Sequence, residues 1–317
     1  MSLEKKYGLT KQIKEAVNSV FVGKEDVVEQ VLTCFLAGGH ILLEDVPGVG
    51  KTTLARAMAK ATGCTMGRVQ FTPDTLPGDI VGMSVYNMKT GEFEHRDGVV
   101  MNQILLADEI NRTSPKTQAS LLEAMAEGQV TVDGTSYPLP QPFLVIATQN
   151  PVEFLGTYPL PEAQMDRFMM KLSMGLPSRE EELEILEKYM DKEPLAELES
   201  VMNLEELAQA KEEASKVFVH ECVREYMVDI VEATRKGAQV VMGVSPRGNL
   251  ALLRCAKAYA YLEGRDYVTP DDIKVLVVPV LAHRIVLGYG SGGIAGNIKM
   301  IEHILATTAV PTEEFTK

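Results

Sequence analysis

The segment Glu44-Asp45-Val46-Pro47-Gly48-Val49-Gly50-Lys51-Thr52 places glycines, a lysine and a hydroxyl within one short stretch. Glycines let consecutive backbone N–H groups turn toward a common centre, and the N-terminus of a following helix adds positive potential there. That is chemistry for holding phosphate. Gly48, Gly50, Lys51 and Thr52 fit the pattern G-x-x-x-x-G-K-[ST], while Asp45 replaces its first glycine. Lys51 is expected to contact the β- and γ-phosphates of a nucleotide, and the Thr52 hydroxyl to ligate Mg²⁺. Pro47, Val49 and Thr53 complete the nucleotide-binding stretch. The competing reading is a glycine turn followed by an exposed lysine.

Two further groups carry chemistry. Ile104 to Glu109 is an apolar run ending in two acids, the Walker B arrangement. Asp108 is suited to holding Mg²⁺ through its water shell, and Glu109 to orienting and polarising an attacking water. Phe143 to Asn150 is another apolar run ending in polar residues, from which Asn150 could position the same water; a polar residue there is also a common turn former.

These groups need elements to carry them. Up to about residue 175, β-like runs alternate with helical ones, which predicts a parallel sheet covered on both faces. The strands are expected at His40 to Glu44, Arg68 to Phe71, Gln103 to Asp108, Phe143 to Thr148 and Phe168 to Leu172. Helices are expected from Lys51 to Ala61 and from Ser114-Pro115 to Gly128. Residues 78–101 resemble an inserted hairpin, and 129–139 form a second one around Asp133-Gly134, a type I′ dipeptide. Beyond that point the strands stop and only helical segments follow. The domain boundary is placed near Pro177, separating an α/β core of residues 1–177 from an α-helical lid of 178–317. The run Gly288 to Gly293 matches G-x-G-x-x-G, but it follows helices and is read as a flexible glycine loop.

Composition sets outer limits. The chain has 317 residues, 45% hydrophobic and 24% charged, with a net charge of -13 from 31 basic and 44 acidic side chains. Length favours about two domains. Non-specific nucleic-acid affinity comes mainly from neutralising phosphates, so duplex DNA is a poor default partner for this acidic chain. No apolar run reaches the roughly 20 residues a bilayer requires, and no secretory leader is visible, so the protein is expected in the cytoplasm. Cys34, Cys64, Cys222 and Cys255 show no metal-ligand spacing and read as reduced thiols.

In order, the phosphate loop, the acid-ended strand, the asparagine-ended strand, Asp166-Arg167-Phe168 and Ser245-Pro246-Arg247 resemble the AAA+ ATPases. Phe71 to Asp79, Leu106 to Arg112 and Leu160 to Phe168 look like the MoxR subfamily, and the resemblance covers essentially the whole chain. It implies an AAA+ core with a five-stranded parallel sheet, a small all-α lid, and ATP with Mg²⁺ as ligands. It also makes Asn150 sensor 1, Arg167 an arginine finger reaching a neighbouring subunit, and Arg247 sensor 2 on the lid. The segment Val22-Gly23-Lys24 resembles one that packs on adenine. Arg247 in the first turn of a helix opposes the helix dipole, which suits a functional task. Arg167 beside Asp166 reads equally well as a surface ion pair.

The function implied is that of a ring-forming ATPase, commonly hexameric, that remodels or matures client proteins, often ones with von Willebrand A domains. Residues 78–101 and 129–139 are the expected partner contacts. The alternative is a nucleic-acid or transcription motor on the same core, which the charge disfavours.

Overall fold

The computed structural model describes residues 3–151, 156–237, 239–288 and 293–311. Of the C-terminal glycine run, residues 289–292 lie outside the described residues. Helices α1 (Leu3–Val20) and α2 (Glu25–Leu36) precede β1 (Ile41–Glu44), the phosphate loop and α3 (Lys51–Ala61). Then come β2 (Met66–Gln70), α4 (Pro77–Val81), β3 (Gly82–Asn87), β4 (Glu92–Asp97), β5 (Ile104–Asp108) and α5 (Pro115–Glu127). Next are β6 (Gln129–Val132), β7 (Thr135–Pro138), β8 (Leu144–Gln149), α6 (Glu162–Met165) and β9 (Met170–Leu172).

All five expected core strands form, in one parallel sheet of order β2-β5-β8-β1-β9. Strand β9 starts at Met170 rather than Phe168 because the Phe168 carbonyl is taken by His283 and Arg284 instead of a neighbouring strand. The inner strands bury side chains on both faces, which is why their sequences do not alternate. Ile41, Leu43, Ile104, Leu106, Leu144 and Ile146 point into one apolar cluster. Leu42, Leu105, Ala107, Val145 and Ala147 point into the other.

Both hairpins form as expected, with Asp133 and Gly134 at positive φ in the second turn. The insert begins with the short helix α4, which the sequence reading did not include. At its base the chain crosses itself: Val99 and Val100 donate to the Asp79 and Ile80 carbonyls, and a Cβ on Gly98 would collide with the Ile80 carbonyl oxygen. Only glycine fits this crossing.

The second half contains α7 (Arg179–Lys188), α8 (Pro194–Glu197), α9 (Leu204–Ser215), α10 (Glu221–Ala233), β10 (Val240–Met242), α11 (Pro246–Leu262), α12 (Pro270–Leu281), β11 (Val286–Leu287) and α13 (Gly293–Thr307). The expectation that strands stop after residue 175 needs correcting. Val240 pairs with Leu287 and Met242 with Val286 in a small antiparallel ribbon. Its partners are too short and too distant in sequence to leave a hairpin signal. The apolar cluster on the α1–α3 side of the sheet continues without a break into α9, α10, α11 and α12. Residues on both sides of Pro177 therefore share one core.

His40, just before β1, joins layers of this core. Val145 N donates to its Nδ1 at 3.1 Å, so the ring proton sits on Nε2, which donates to Met125 O at 3.2 Å. Burial lowers its pKa to about 4, and protonation would turn the acceptor for Val145 into a second donor. Because the unfolded chain takes up this proton near pH 6.5 and the folded chain does not, stability is full above that pH and falls as pH drops toward 4. Between pH 7 and pH 4, denaturant titrations should show about 3 kcal/mol more stability lost by the wild type than by a His40→Gln variant, which leaves the buried His283 unchanged.

Candidate functional site

The phosphate loop leaves the end of β1, and the acids and Asn150 stand at or just past the ends of β5 and β8, two successive neighbours in the sheet. Parallel sheets bind ligands in this crevice beyond the strand ends. The cleft there encloses about 330 Å³. Pro47, Gly48, Gly50, Lys51 and Thr52 line one side, and Asp108, Glu109 and Asn150 the other. Gly48 and Gly50 both adopt positive φ, as an inward-turning loop demands, and Gly50 caps α3.

Lys51 Nζ donates to the Asp45 carbonyl at 2.9 Å. Burial lowers the Lys51 pKa, and Asp45, Asp108 and Glu109 push it back up. The amine is thus partly stripped of water and surrounded by acceptors, which suits an incoming polyphosphate. Glu109 adopts a left-handed conformation, φ 56° and ψ 50°, uncommon for a residue with a side chain. Its amide donates to Thr148 Oγ1 at 2.8 Å, and the same hydroxyl reaches Asp108 Oδ1 at 3.4 Å. Thr148 on β8 thereby aims both acids.

Three cleft residues were missed in the sequence. Arg68 Nε donates to Asp108 Oδ2 at 2.8 Å, Gln70 Nε2 donates to Glu109 Oε2 at 2.8 Å, and Arg112 NH1 donates to the same oxygen at 2.9 Å. Arg68 and Gln70 interrupt the apolar run of β2 at alternate positions, and Gln70 lies in register with Asp108. That alternation on a strand leading to the cleft was the available signal.

Among the described residues no group of three or more His, Cys, Asp or Glu side chains could hold a metal by itself. Mg²⁺ sites commonly use one or two carboxylates plus substrate phosphates and water. Asp108 with the Thr52 hydroxyl fits that donor set, and Asp108 already attracts a cation, the Arg68 guanidinium.

A second cavity of about 250 Å³ adjoins the loop. Val22, Gly48, Val49, Gly50 and Thr53 line it, together with Ile185 and Tyr189 from α7. Its largely apolar wall suits a planar base. Gly23 has φ +72°, and the Glu181 side chain packs where its Cβ would be. Lys24 pairs with Glu181 at 3.5 Å, fastening this segment to α7.

Asp45 acquires a role. Buried, its carboxylate accepts from Ser173 Oγ at 2.8 Å, Met174 N at 2.7 Å and Gly175 N at 2.9 Å. It fastens the phosphate loop to the chain leaving β9. Asp45→Ala strands the buried Met174 amide and removes the acceptor of the Gly175 amide and the Ser173 hydroxyl, and should cost about 2 kcal/mol in denaturant unfolding. Asp45→Asn, which keeps an acceptor oxygen, should cost less.

Arg167 and Arg247 do not line the cleft. Arg247 Nε stands 3.9 Å from Asp166 Oδ2, so it lies beside the segment that bears Arg167. Buried Arg284 holds that segment in place, donating to the Asp166 carboxylate and carbonyl and to Phe168 O. The geometry gathers Lys51, Thr52, Asp108, Glu109 and Asn150 into one cleft and places Arg247 away from it, beside the segment that bears Arg167.

Residues 40–170 match the profile of the ATPase family associated with various cellular activities (AAA), and residues 232–295 match the AAA lid domain. The protein YeaC of Bacillus subtilis (strain 168) is 55% identical over 86% of this chain and 85% of its own length. Chaperone MoxR1 of Mycobacterium tuberculosis (strain ATCC 25618 / H37Rv) is 42% identical over 93% of this chain and 80% of its own. A crystal structure from Cytophaga hutchinsonii ATCC 33406, of a protein described as an ATPase by inference, superposes with a TM-score of 0.91 at 38% identity, covering 98% of this chain and 97% of that one. With its phosphate loop, acid-ended strand and lid in this arrangement, the chain belongs to the MoxR family of AAA+ ATPases.

Proposed function

We propose that the chain hydrolyses ATP with Mg²⁺ as a ring, a hexamer, and uses the cycle as a chaperone to remodel or mature client proteins in the cytoplasm, von Willebrand A domain proteins among them. The observation that carries this reading is the split site. One face holds Lys51, Thr52, Asp108, Glu109 and Asn150, and its own arginines, Arg68 and Arg112, are paired with Asp108 and Glu109. Another face presents Arg167 and Arg247 around Asp166 without a phosphate loop. A site divided in this way is completed by a neighbouring copy, with both arginines entering from outside. The relative from Mycobacterium tuberculosis carries the name chaperone, which supports the client-directed part.

In the completed site Lys51 binds the β- and γ-phosphates, and residues 1–177 act as the core with 178–317 as the lid. Mg²⁺, held by Thr52 and Asp108, would neutralise charge on the phosphates. Asn150 orients the attacking water and a Glu109 carboxylate oxygen takes its proton; Oε2 is engaged by Gln70 and Arg112, which leaves Oε1 for this task. Val22, Val49 and Thr53 line the base pocket, with Gly23 next to Val22 in the segment expected to pack on the base.

The test is phosphate release from ATP with Mg²⁺, with and without duplex DNA at physiological salt. Turnover that requires Mg²⁺ and ignores DNA is expected, whereas strong DNA stimulation would replace the chaperone reading by a nucleic-acid motor. Capture on the Glu109→Gln variant in ATP then identifies clients.

A further inference from the structure

Helix α7 has an inner and an outer face. Ile185 and Tyr189 line the base cavity, but no residue of the helix is buried. Leu183 and Leu186 on the outer side of the helix, and Met190 just past its end, are 56%, 66% and 74% exposed. Glu180, Glu182 and Glu187 flank this stripe, with Arg179 at its N-terminal end, so the face carries more acids than bases. A contiguous apolar stripe beside a ligand site, rimmed by charge, marks a protein contact.

A complementary surface lies elsewhere on the same chain. Between α10 and α11 runs a groove of about 470 Å³, with Met227 and Val231 at its floor and Val228, Leu250 and Leu253 along its sides. Arg224 lines it near the start of α10 and Arg235 just past the end. Its one acid, Glu232, pairs with Lys236 at 3.4 Å. Pro246 lines one end of the groove, and the next residue, Arg247, stands beside Asp166.

We propose that the acidic, apolar outer face of α7 on one copy seats in the arginine-flanked α10–α11 groove of the next copy. Two observations select a second copy as the occupant. The charges are complementary, and each surface adjoins one half of the divided site: α7 walls the base cavity, and the groove begins next to Arg247. One docking event therefore carries the arginine cluster of one subunit toward the nucleotide of its neighbour. Because stripe and groove are different surfaces, the contact is head-to-tail, the kind of interface from which rings are built when its rotation closes. This inference rests on the composite-site reading above.

The variants Leu183→Glu/Leu186→Glu (stripe) and Leu250→Glu (groove) change exposed positions only. Sedimentation in ATP should show each as a monomer, with an unchanged circular-dichroism spectrum and bound fluorescent ATP analogue, and turnover reduced on the order of 10³-fold, the scale of an arginine supplied in trans. Mixed together, they retain one intact stripe and one intact groove, and should form heterodimers and nothing larger, with turnover recovered at one site per pair. Leu250→Met should assemble as the wild type does. Either Glu variant assembling like wild type, or a mixture that stays monomeric, overturns the docking. So does a wild-type chain that stays monomeric in ATP. If wild type assembles but releases no phosphate, the ATPase reading fails by itself and the sedimentation results still decide the interface.

Discussion

Lys51→Ala should weaken nucleotide binding severely, whereas Glu109→Gln should keep ATP bound and stop its hydrolysis. The Lys51 amine sits in the phosphate cleft among Asp45, Asp108 and Glu109, half out of water. Charge-assisted hydrogen bonds contribute about 1.5–3 kcal/mol each, so losing contact with two phosphates should weaken ATP binding roughly 10²- to 10⁴-fold. Glu109 belongs to a different step. Its carboxylate is positioned by the Thr148 hydroxyl through its own backbone amide, and the amide side chain of Gln preserves shape while losing basicity. A general base contributes roughly 10²- to 10⁴-fold, so turnover should fall by that factor with ATP affinity within a few-fold of wild type. Equilibrium binding of a fluorescent ATP analogue beside steady-state phosphate release separates the two. Equal loss of binding in both variants would overturn the assignment.

Arg167→Ala should bind ATP normally and lose turnover about 10³- to 10⁵-fold, the range for an arginine finger supplied in trans. The side chain follows Asp166, which Arg284 fixes from the lid side, so its backbone position is set independently of any nucleotide. Mixing Arg167→Ala with Glu109→Gln subunits is the decisive measurement. In mixed rings some sites pair an intact Glu109 with an intact Arg167 from the neighbour, and turnover should return. Assembled mixed rings that stay inactive would leave Arg167 as a surface ion pair with Asp166.

The core sheet was legible because its inner strands are buried on both faces: Ile41 to Leu43 and Ile104 to Ala107 could hardly be anything else. The cleft was legible for the same reason, since Asp108 and Asn150 are polar groups at the ends of runs otherwise free of them. What escaped were contacts made by tertiary packing. Asp45 looked like a defect in a glycine pattern, and its three partners at residues 173–175 lie far along the chain. Tyr189 and Ile185 reach the base cavity only because α7 folds back over the loop, and Arg284 reaches Asp166 from a turn whose sequence reads as ordinary helix end. The ribbon of β10 and β11 joins segments separated by two helices, a distance over which local pattern carries no information. The separation of Arg247 from the cleft likewise depends on where the lid packs, which the Ser245-Pro246-Arg247 motif does not encode.

The crossing at the base of the β3–β4 hairpin has a different consequence. The chain leaves the core at Asp79-Ile80 and returns at Val99-Val100 within hydrogen-bond distance of its point of departure. Everything between is topologically a closed loop on a stem. Its length and side chains can therefore change through insertion, deletion or exchange without rethreading a single strand of the sheet, provided that Gly98 stays. Under the chaperone proposal, the surface offered to a client can thus be exchanged within this one loop, while the phosphate cleft at the sheet edge stays as it is.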